Sequence, residues 1–464
     1  MKLFLINASF VNFVSIPSMG LGYIGTYVRQ HSDCEVEIIE PSLQELDRAA
    51  VLRKVVAAEG ELIVGLVCYT ESRFDVFEFA QDVSKSRPDA KIIIGGVHTD
   101  SLHTLAMQQY PFVDFIARGE AEDTVLEVIK GKALESIKGL TWRKGAEIAV
   151  NPERELRDEL DALKYDYTLV EPWITRWKDL EIPAKYQTLV HIPIIVSRGC
   201  KFKCSFCGAS DFWRDRYRVV SNVEIIRRMK ELIAKYNVGY FRFYDALFLG
   251  NEEKRILDFC RLIKENGIKV NFRVDLRVGT SEASLAALRE AGCTVIGFGI
   301  ESASDKVLKK INKAITNKMI RQTCAVTRKL GFWTIGFFMI SMPSEELEDV
   351  KENFRIFNLF DELNLQFFKI HPGTPFYREL KDNGEINDEV WFDISKADSE
   401  YFYCSELFKS AKLSRKTVEF MLLKYYMLPM KLKHYLGVAL IHPVKTAKKV
   451  LGFIRLPFIG KVSK

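Results

Sequence analysis

Apolar and polar positions alternate along this chain in two long stretches with different periods. Over the first 120 residues, short apolar runs at 2–8, 35–40, 62–68, 91–96 and 113–118 are separated by segments such as 46–57 and 73–86, whose apolar positions recur every three to four residues. A short continuous apolar run suits a strand buried on both faces, and the longer periodic segments suit amphipathic helices. The expected fold of this half is α/β, a doubly wound, Rossmann-like parallel sheet of five strands. From residue 191 the alternation resumes with a longer repeat. Strands expected at 193–197, 240–248, 270–276, 294–302, 332–342 and 364–371 alternate with helices near 221–236, 252–266, 281–291, 316–330 and 345–360. Six strand–helix units in succession predict a second parallel sheet, curled into a partial (βα)6 barrel.

Between the two lies a connector, 131–190, with a hairpin turning at Lys144-Gly145, a charged stretch and an aromatic one, and no recognisable chemistry. The expected division is a first domain over 1–130, this connector, a barrel over 191–380 and a helical, basic region over 381–464. Charge sharpens the last boundary. Residues 401–464 hold thirteen Lys or Arg against two acids, a net +11, whereas the whole chain carries only +6. Val444, Ala447, Leu451 and Ile454 share one helical face and Lys445, Lys448, Lys449 and Arg455 another, the pattern of a helix lying on an anionic membrane surface. A solvated charged face or a core-docking helix reads the same way. Nine scattered cysteines make no disulfide framework and point to a reducing, cytoplasmic compartment. The N-terminal apolar run is too short for a signal peptide, and no apolar run is long enough to span a bilayer.

The densest chemistry is the loop 198–208, Arg-Gly-Cys-Lys-Phe-Lys-Cys-Ser-Phe-Cys-Gly. Cys200, Cys204 and Cys207 stand in a C-x3-C-x2-C spacing directly after a strand-like run. Three thiolates on one tight loop can hold three irons of a [4Fe–4S] cube and leave the fourth open to a ligand. Zinc is the alternative, but it usually takes four protein ligands, and no His or fourth Cys completes a zinc spacing here. The other six cysteines show no ligand spacing to one another.

This loop resembles the signature of the radical S-adenosylmethionine (SAM) enzymes. The resemblance implies that the open iron chelates SAM, and that reductive cleavage of SAM gives a radical that takes hydrogen from the substrate. It also implies SAM contacts at Phe206, at Tyr244 and Asp245 of the second barrel strand's end, and at Glu301 of the fourth. Two departures stand out. Asp245-Ala246-Leu247-Phe248 has one carboxylate where the family often has two, and Ser341 and Ser344 replace usual glycines. Arg273 and Asp275 alternate with apolar neighbours on the third strand and read equally as catalytic groups facing into the barrel and as a core ion pair. The Pro-Gly-Thr-Pro turn at 372–375 is sufficiently explained as a turn.

Ligands of doubly wound sheets bind beyond the strands' carboxyl ends. Those ends carry Tyr69, Thr70, Gly95, Gly96, His98, Gly119 and Glu120. With Pro17-Ser18-Met19-Gly20-Leu21-Gly22 and Arg-Gly-Glu-x-Glu at 118–122, they resemble the cobalamin-binding domain that precedes one large class of radical SAM enzymes. No histidine stands in the loop after the first strand, so cobalt would lack a protein imidazole. A flavodoxin-like sheet without ligand is the alternative. The resemblance implies a cobalamin-dependent methyltransferase acting through methylcobalamin on an unactivated carbon of a small-molecule or lipid-like substrate. The alternatives are cobalamin-assisted cyclisation or oxidation, or SAM chemistry without cobalamin; a non-catalytic iron–sulfur electron carrier fits the placed SAM contacts less well. An electron donor such as flavodoxin or ferredoxin and peripheral membrane contact are the expected partners. Nucleic acid is not among them, because the N-terminal cluster cysteines of tRNA methylthiolases are missing.

Overall fold

The computed structural model describes residues 1–10, 17–342 and 345–393. Strands β1 (Lys2–Ile6), β2 (Glu35–Ile39), β3 (Leu62–Val67), β4 (Lys91–Gly95) and β5 (Phe115–Ala117) are the five parallel strands expected, in the order β2-β1-β3-β4-β5. Lys2 stands opposite Glu35 on one side and Leu62 on the other. The winding direction reverses between β1 and β3, and a crevice opens there beyond the strand ends. The connector's hairpin, β6 (Leu140–Lys144) and β7 (Glu147–Val150), does not stand apart. Strand β6 pairs antiparallel with β5, Phe115 opposite Trp142, and makes a seven-stranded sheet. It covers an edge whose backbone groups would otherwise be unpaired.

Strand β8 (His191–Ile194) opens the second sheet, and β9 (Ser197–Arg198) and β10 (Arg218–Val219) form a two-residue antiparallel ladder just beyond it. Strands β11 (Tyr240–Phe243), β12 (Asn271–Leu276), β13 (Cys293–Glu301), β14 (Trp333–Ile340) and β15 (Glu362–Phe367) follow. The parallel sheet runs β8-β11-β12-β13-β14-β15, in sequential order, as repeated strand–helix crossovers of one hand require. Helices between them start at Ser221, Ser281, Ser304 and Thr316, whose hydroxyls each accept from a backbone N–H three residues on.

Several boundaries differ from expectation, among them the first barrel strand, expected over 193–197 and found at His191–Ile194. The run 240–248 is a strand only to Phe243, because Asp245 turns to the backbone of 196–197, and Leu249, Gly250 and Asn251, with φ of 45°, 67° and 55°, then carry the chain away. The last strand begins two residues early, at Glu362, and the helix expected over 345–360 is Leu347–Phe354. The basic region 401–464, with its membrane-helix reading, and Ser344 lie outside the described residues.

One apolar core runs from the first sheet into the second, from Leu3, Leu5 and Ile93 through Tyr167 and Trp173 to Ile194, Phe243 and Phe298. The connector also closes the floor of the barrel. Asp179 and Glu181 reach Arg273 at 3.0 Å, Arg242 reaches Asp275 at 2.5 Å, and Glu181 accepts from Asn364 of β15 at 3.0 Å. Arg273 and Asp275 thus belong to a network wider than the pair that alternation suggests.

Candidate active site

The cluster loop leaves β9 through Gly199. Its φ is +88°, and a Cβ there would fall 1.9 Å from the Arg216 carbonyl, so only glycine fits. The loop is pinned from outside. Ser205 N donates to Ile311 O at 3.0 Å, Phe376 N donates to Ser205 O at 2.9 Å, and Asn312 Nδ2 donates to Lys203 O at 2.8 Å. Cys204 is buried, and Cys200 and Cys207 are half-buried. Burial, then the neighbouring thiols, push Cys200 up and Cys207 up to about 11. The three sulfurs therefore share one small region and gain from a cation that takes their protons' place. No three Cys, His, Asp or Glu among the described residues surround a single ion position. That is compatible with cluster ligation, in which each thiolate holds a different iron.

Lys313 was not singled out by its sequence position. Its ammonium pairs with Glu301 at 2.9 Å, lies 5.9 Å from the centre of the Phe206 ring and acts electrostatically on Cys200 and Cys207. The left-handed Asn312 and Ala314 that flank it were the local signal. Glu301, expected to meet SAM, thus has this cation as its partner. Asp245, also expected to meet SAM, is 5% exposed, and its Oδ1 accepts from Val196 N at 3.0 Å, Ser197 N at 2.5 Å and Ser197 Oγ at 2.7 Å. It ties the end of β11 to the residue before Arg198. Its Oδ2 is buried without a hydrogen-bond partner among the described residues.

A cavity of about 430 Å³ separates the strand ends of the first sheet from the barrel mouth. Its sheet side includes Tyr69, Gly95, Gly96, Gly119 and Glu120, and its barrel side includes Ile195, Gly199 and Tyr244. Phe206, Asp245 and Glu301 lie outside this lining. So do Thr70 and His98. The His98 imidazole is buried against Trp391, its Nδ1 is 3.2 Å from Thr70 Oγ1, and desolvation pushes its pKa down to about 3. None of the described histidines lines the cavity. Gly96, itself in the lining, is also required by the turn: its φ is +114° and a Cβ there would fall 2.6 Å from Cys68 O. Gly20 and Gly119 line the cavity with nothing within 4 Å of their Cβ positions. The space is thus a wide apolar cradle with glycines on its rim, which fits a large planar macrocycle.

Family comparison agrees with both halves. Residues 194–356 match the radical SAM superfamily model and residues 13–129 match that of the B12 binding domain. An uncharacterised methyltransferase of Pyrococcus horikoshii is 28% identical over 383 residues, covering 81% of each chain. The anaerobic magnesium-protoporphyrin IX monomethyl ester cyclase of Cereibacter sphaeroides is 26% identical over 367 residues, 76% of this chain and 57% of that one. The structure of the radical SAM methyltransferase TsrM from Kitasatospora setae, with cobalamin and a [4Fe–4S] cluster bound, superposes with a TM-score of 0.65 at 17% identity, covering 82% of this chain and 75% of that one. The protein is a radical SAM enzyme with a B12-binding domain ahead of its barrel. Its cofactors are a [4Fe–4S] cluster, SAM and cobalamin.

Proposed function

We propose that this enzyme is a cobalamin-dependent C-methyltransferase acting on an unactivated carbon of a small, largely apolar molecule. The observation that carries the reading is the apolar cavity between the two sheets, bounded on one side by Gly199, the residue before Cys200. Cys200, Cys204 and Cys207 would hold the cluster, the barrel mouth near Phe206, Lys313 and Tyr244 would hold SAM, and the rim from Gly20 to Gly119 would hold the corrin. Bound there, the cluster and SAM supply a radical that removes a substrate hydrogen, and cobalamin supplies a methyl group.

The chain's own part is to position and to exclude water. Asp245 fixes the approach to the cluster loop, Glu301 sets the direction of the Lys313 ammonium, and the apolar lining keeps the reacting space dry. Anaerobic reconstitution with iron, sulfide and hydroxocobalamin tests the assignment through iron and corrinoid per chain and the absorption spectrum. Loading with the cluster but no corrinoid would leave radical SAM chemistry on a scaffold sheet. The cyclase relative favours radical ring closure on a tetrapyrrole as the second reading; isotope-labelled SAM separates the two, since only methyl transfer moves its label into product.

The basic C-terminal segment supports a lipid-like substrate met at a membrane surface. At roughly 1 kcal/mol per basic residue near an anionic surface, several lysines suffice for reversible binding. Among the described residues no helix is long and apolar enough to cross a membrane. Co-sedimentation with anionic but not neutral vesicles, lost on deleting 412–464, is expected; equal recovery with both would remove the membrane from the picture.

A further inference from the structure

Four charged side chains join the two halves beside the cavity. Arg198 Nη2 donates to Glu122 Oε1 at 2.5 Å, and Arg198 Nη1 lies 3.2 Å from Glu120 Oε1. Arg218 grips Glu120 with both ends of its fork, Nη1 to Oε2 at 3.0 Å and Nη2 to Oε1 at 2.6 Å, and Nη1 also donates to Arg157 O at 2.7 Å. All four side chains are nearly buried, with exposures of 12% or less. The Arg198 guanidinium stands 5.1 Å from the centre of the Tyr23 ring, whose hydroxyl donates to Ile195 O. Glu120 and Glu122 come from the first domain, and Arg198 and Arg218 are register partners in the β9–β10 ladder.

We infer that this cluster is a latch that sets the distance between the corrin and the iron–sulfur cluster, with Arg198 and Arg218 as positioning residues. This latch presupposes the cofactor placement proposed above. The dipeptide Ser197-Arg198 is held from opposite directions, Ser197 by Asp245 of the barrel and Arg198 by the carboxylates of the cobalamin domain. Gly199 and Cys200 follow at once. Whatever shifts β9 against the first domain therefore shifts the first cluster ligand.

Strand β9 has little pairing of its own to resist such a shift, only two residues against β10. A bidentate guanidinium–carboxylate pair fixes angle as well as distance. Buried pairs of this kind add little net stability compared with apolar packing, so geometry is the better account of their presence. A substrate that loses hydrogen to a radical generated in one domain and takes a methyl group from the other needs that geometry, because a displacement of roughly 1 Å can cost about 100-fold in rate.

The test uses the holoenzyme with both cofactors and Arg218, which takes no part in lining the cavity. Arg218→Gln removes the charge and the fork; Arg218→Lys keeps the charge only. Iron per chain reports the barrel and corrinoid per chain reports the first domain. The distance is read by pulsed electron paramagnetic resonance, as the relaxation enhancement of cob(II)alamin by the one-electron-reduced cluster. A single relaxation component is expected in the parent enzyme, spreading into several in Arg218→Gln with iron and corrinoid retained, and Arg218→Lys should stand between. Unchanged relaxation in Arg218→Gln overturns the latch. If that variant fails to fold, unchanged relaxation in Arg218→Lys overturns it equally. A parent enzyme that takes iron but no corrinoid refutes the cofactor placement, and the latch falls with it.

Discussion

Two buried carboxylates of this protein, Glu40 and Asp245, are held by hydrogen bonds and not by an ion pair. Glu40, 1% exposed, accepts from Asn7 Nδ2 at 2.9 Å and from Ser18 N at 2.6 Å, and burial still pushes its pKa up to about 7. Asp245 is raised to about 7 by the same cause. A carboxyl whose pKa is raised on folding binds its proton more tightly in the native state. Its contribution is complete below the unfolded value and is lost as pH rises toward the folded one. These two carboxyls therefore contribute a slope that lowers stability between about pH 4 and pH 7, opposed by buried His98, whose lowered pKa makes stability rise with pH up to about 6.5. Glu40→Gln should remove up to about 3 kcal/mol of that slope, measured by urea unfolding across the range; a slope identical to the parent's would show that Glu40 ionises freely. Exchange of Cys200, Cys204 and Cys207 for Ala should abolish the cluster, and retention of near-full iron would refute the assignment. Gly20→Leu, on an exposed helical position facing the cavity, should block corrinoid while leaving iron unchanged. It probes the cradle more cleanly than a change at Gly96, where the turn itself would fail. The thiols were legible because their spacing is local. Lys313 was not, because only the fold brings residue 313 over Phe206.

At the scale of elements, continuous apolar runs and capped amphipathic segments marked most strands and helices of the two sheets. The misses are places where a distant partner decides. The 240–248 run is mostly apolar and aromatic, yet Asp245 gives up the strand to bind the backbone of 196–197. The connector seemed empty of chemistry because Asp179 and Glu181 find their partners, Arg273 and Asn364, more than 90 residues away. Arg273→Met should leave Asp179 buried with only the longer, 3.7 Å ion-pair contact to Arg242 among the described residues, at a cost of about 3–5 kcal/mol in urea unfolding. Joint replacement of Arg273 and Asp179 by apolar residues should cost less than the single change. A single-variant loss below about 1 kcal/mol would mean that water already screens the network.

Across the whole molecule the two sheets share one apolar core, and the chain crosses back after the barrel. Arg73 Nε donates to Trp391 O at 3.0 Å, and Phe392 packs on Tyr110 of the first domain. With contacts of this kind the apoprotein should unfold in a single calorimetric transition, its calorimetric and van't Hoff enthalpies agreeing. Two resolved transitions would mean that the sheets are held together chiefly by their cofactors. The sequence by itself determined the two parallel α/β sheets and brought three thiols into one short loop, because apolar periodicity and residue spacing act over a few residues. It also determined the glycines, since a positive φ or an empty Cβ position is a local demand. Tertiary structure alone decided that the hairpin closes the first sheet and that the connector plugs the barrel. It alone turned Asp245, Glu120 and Glu301 toward protein partners, with Glu120 still in the cavity wall beside Tyr69, the glycines and the apolar strand ends. Such assignments depend on which buried charge meets which across the fold, and no spacing along the chain encodes that meeting.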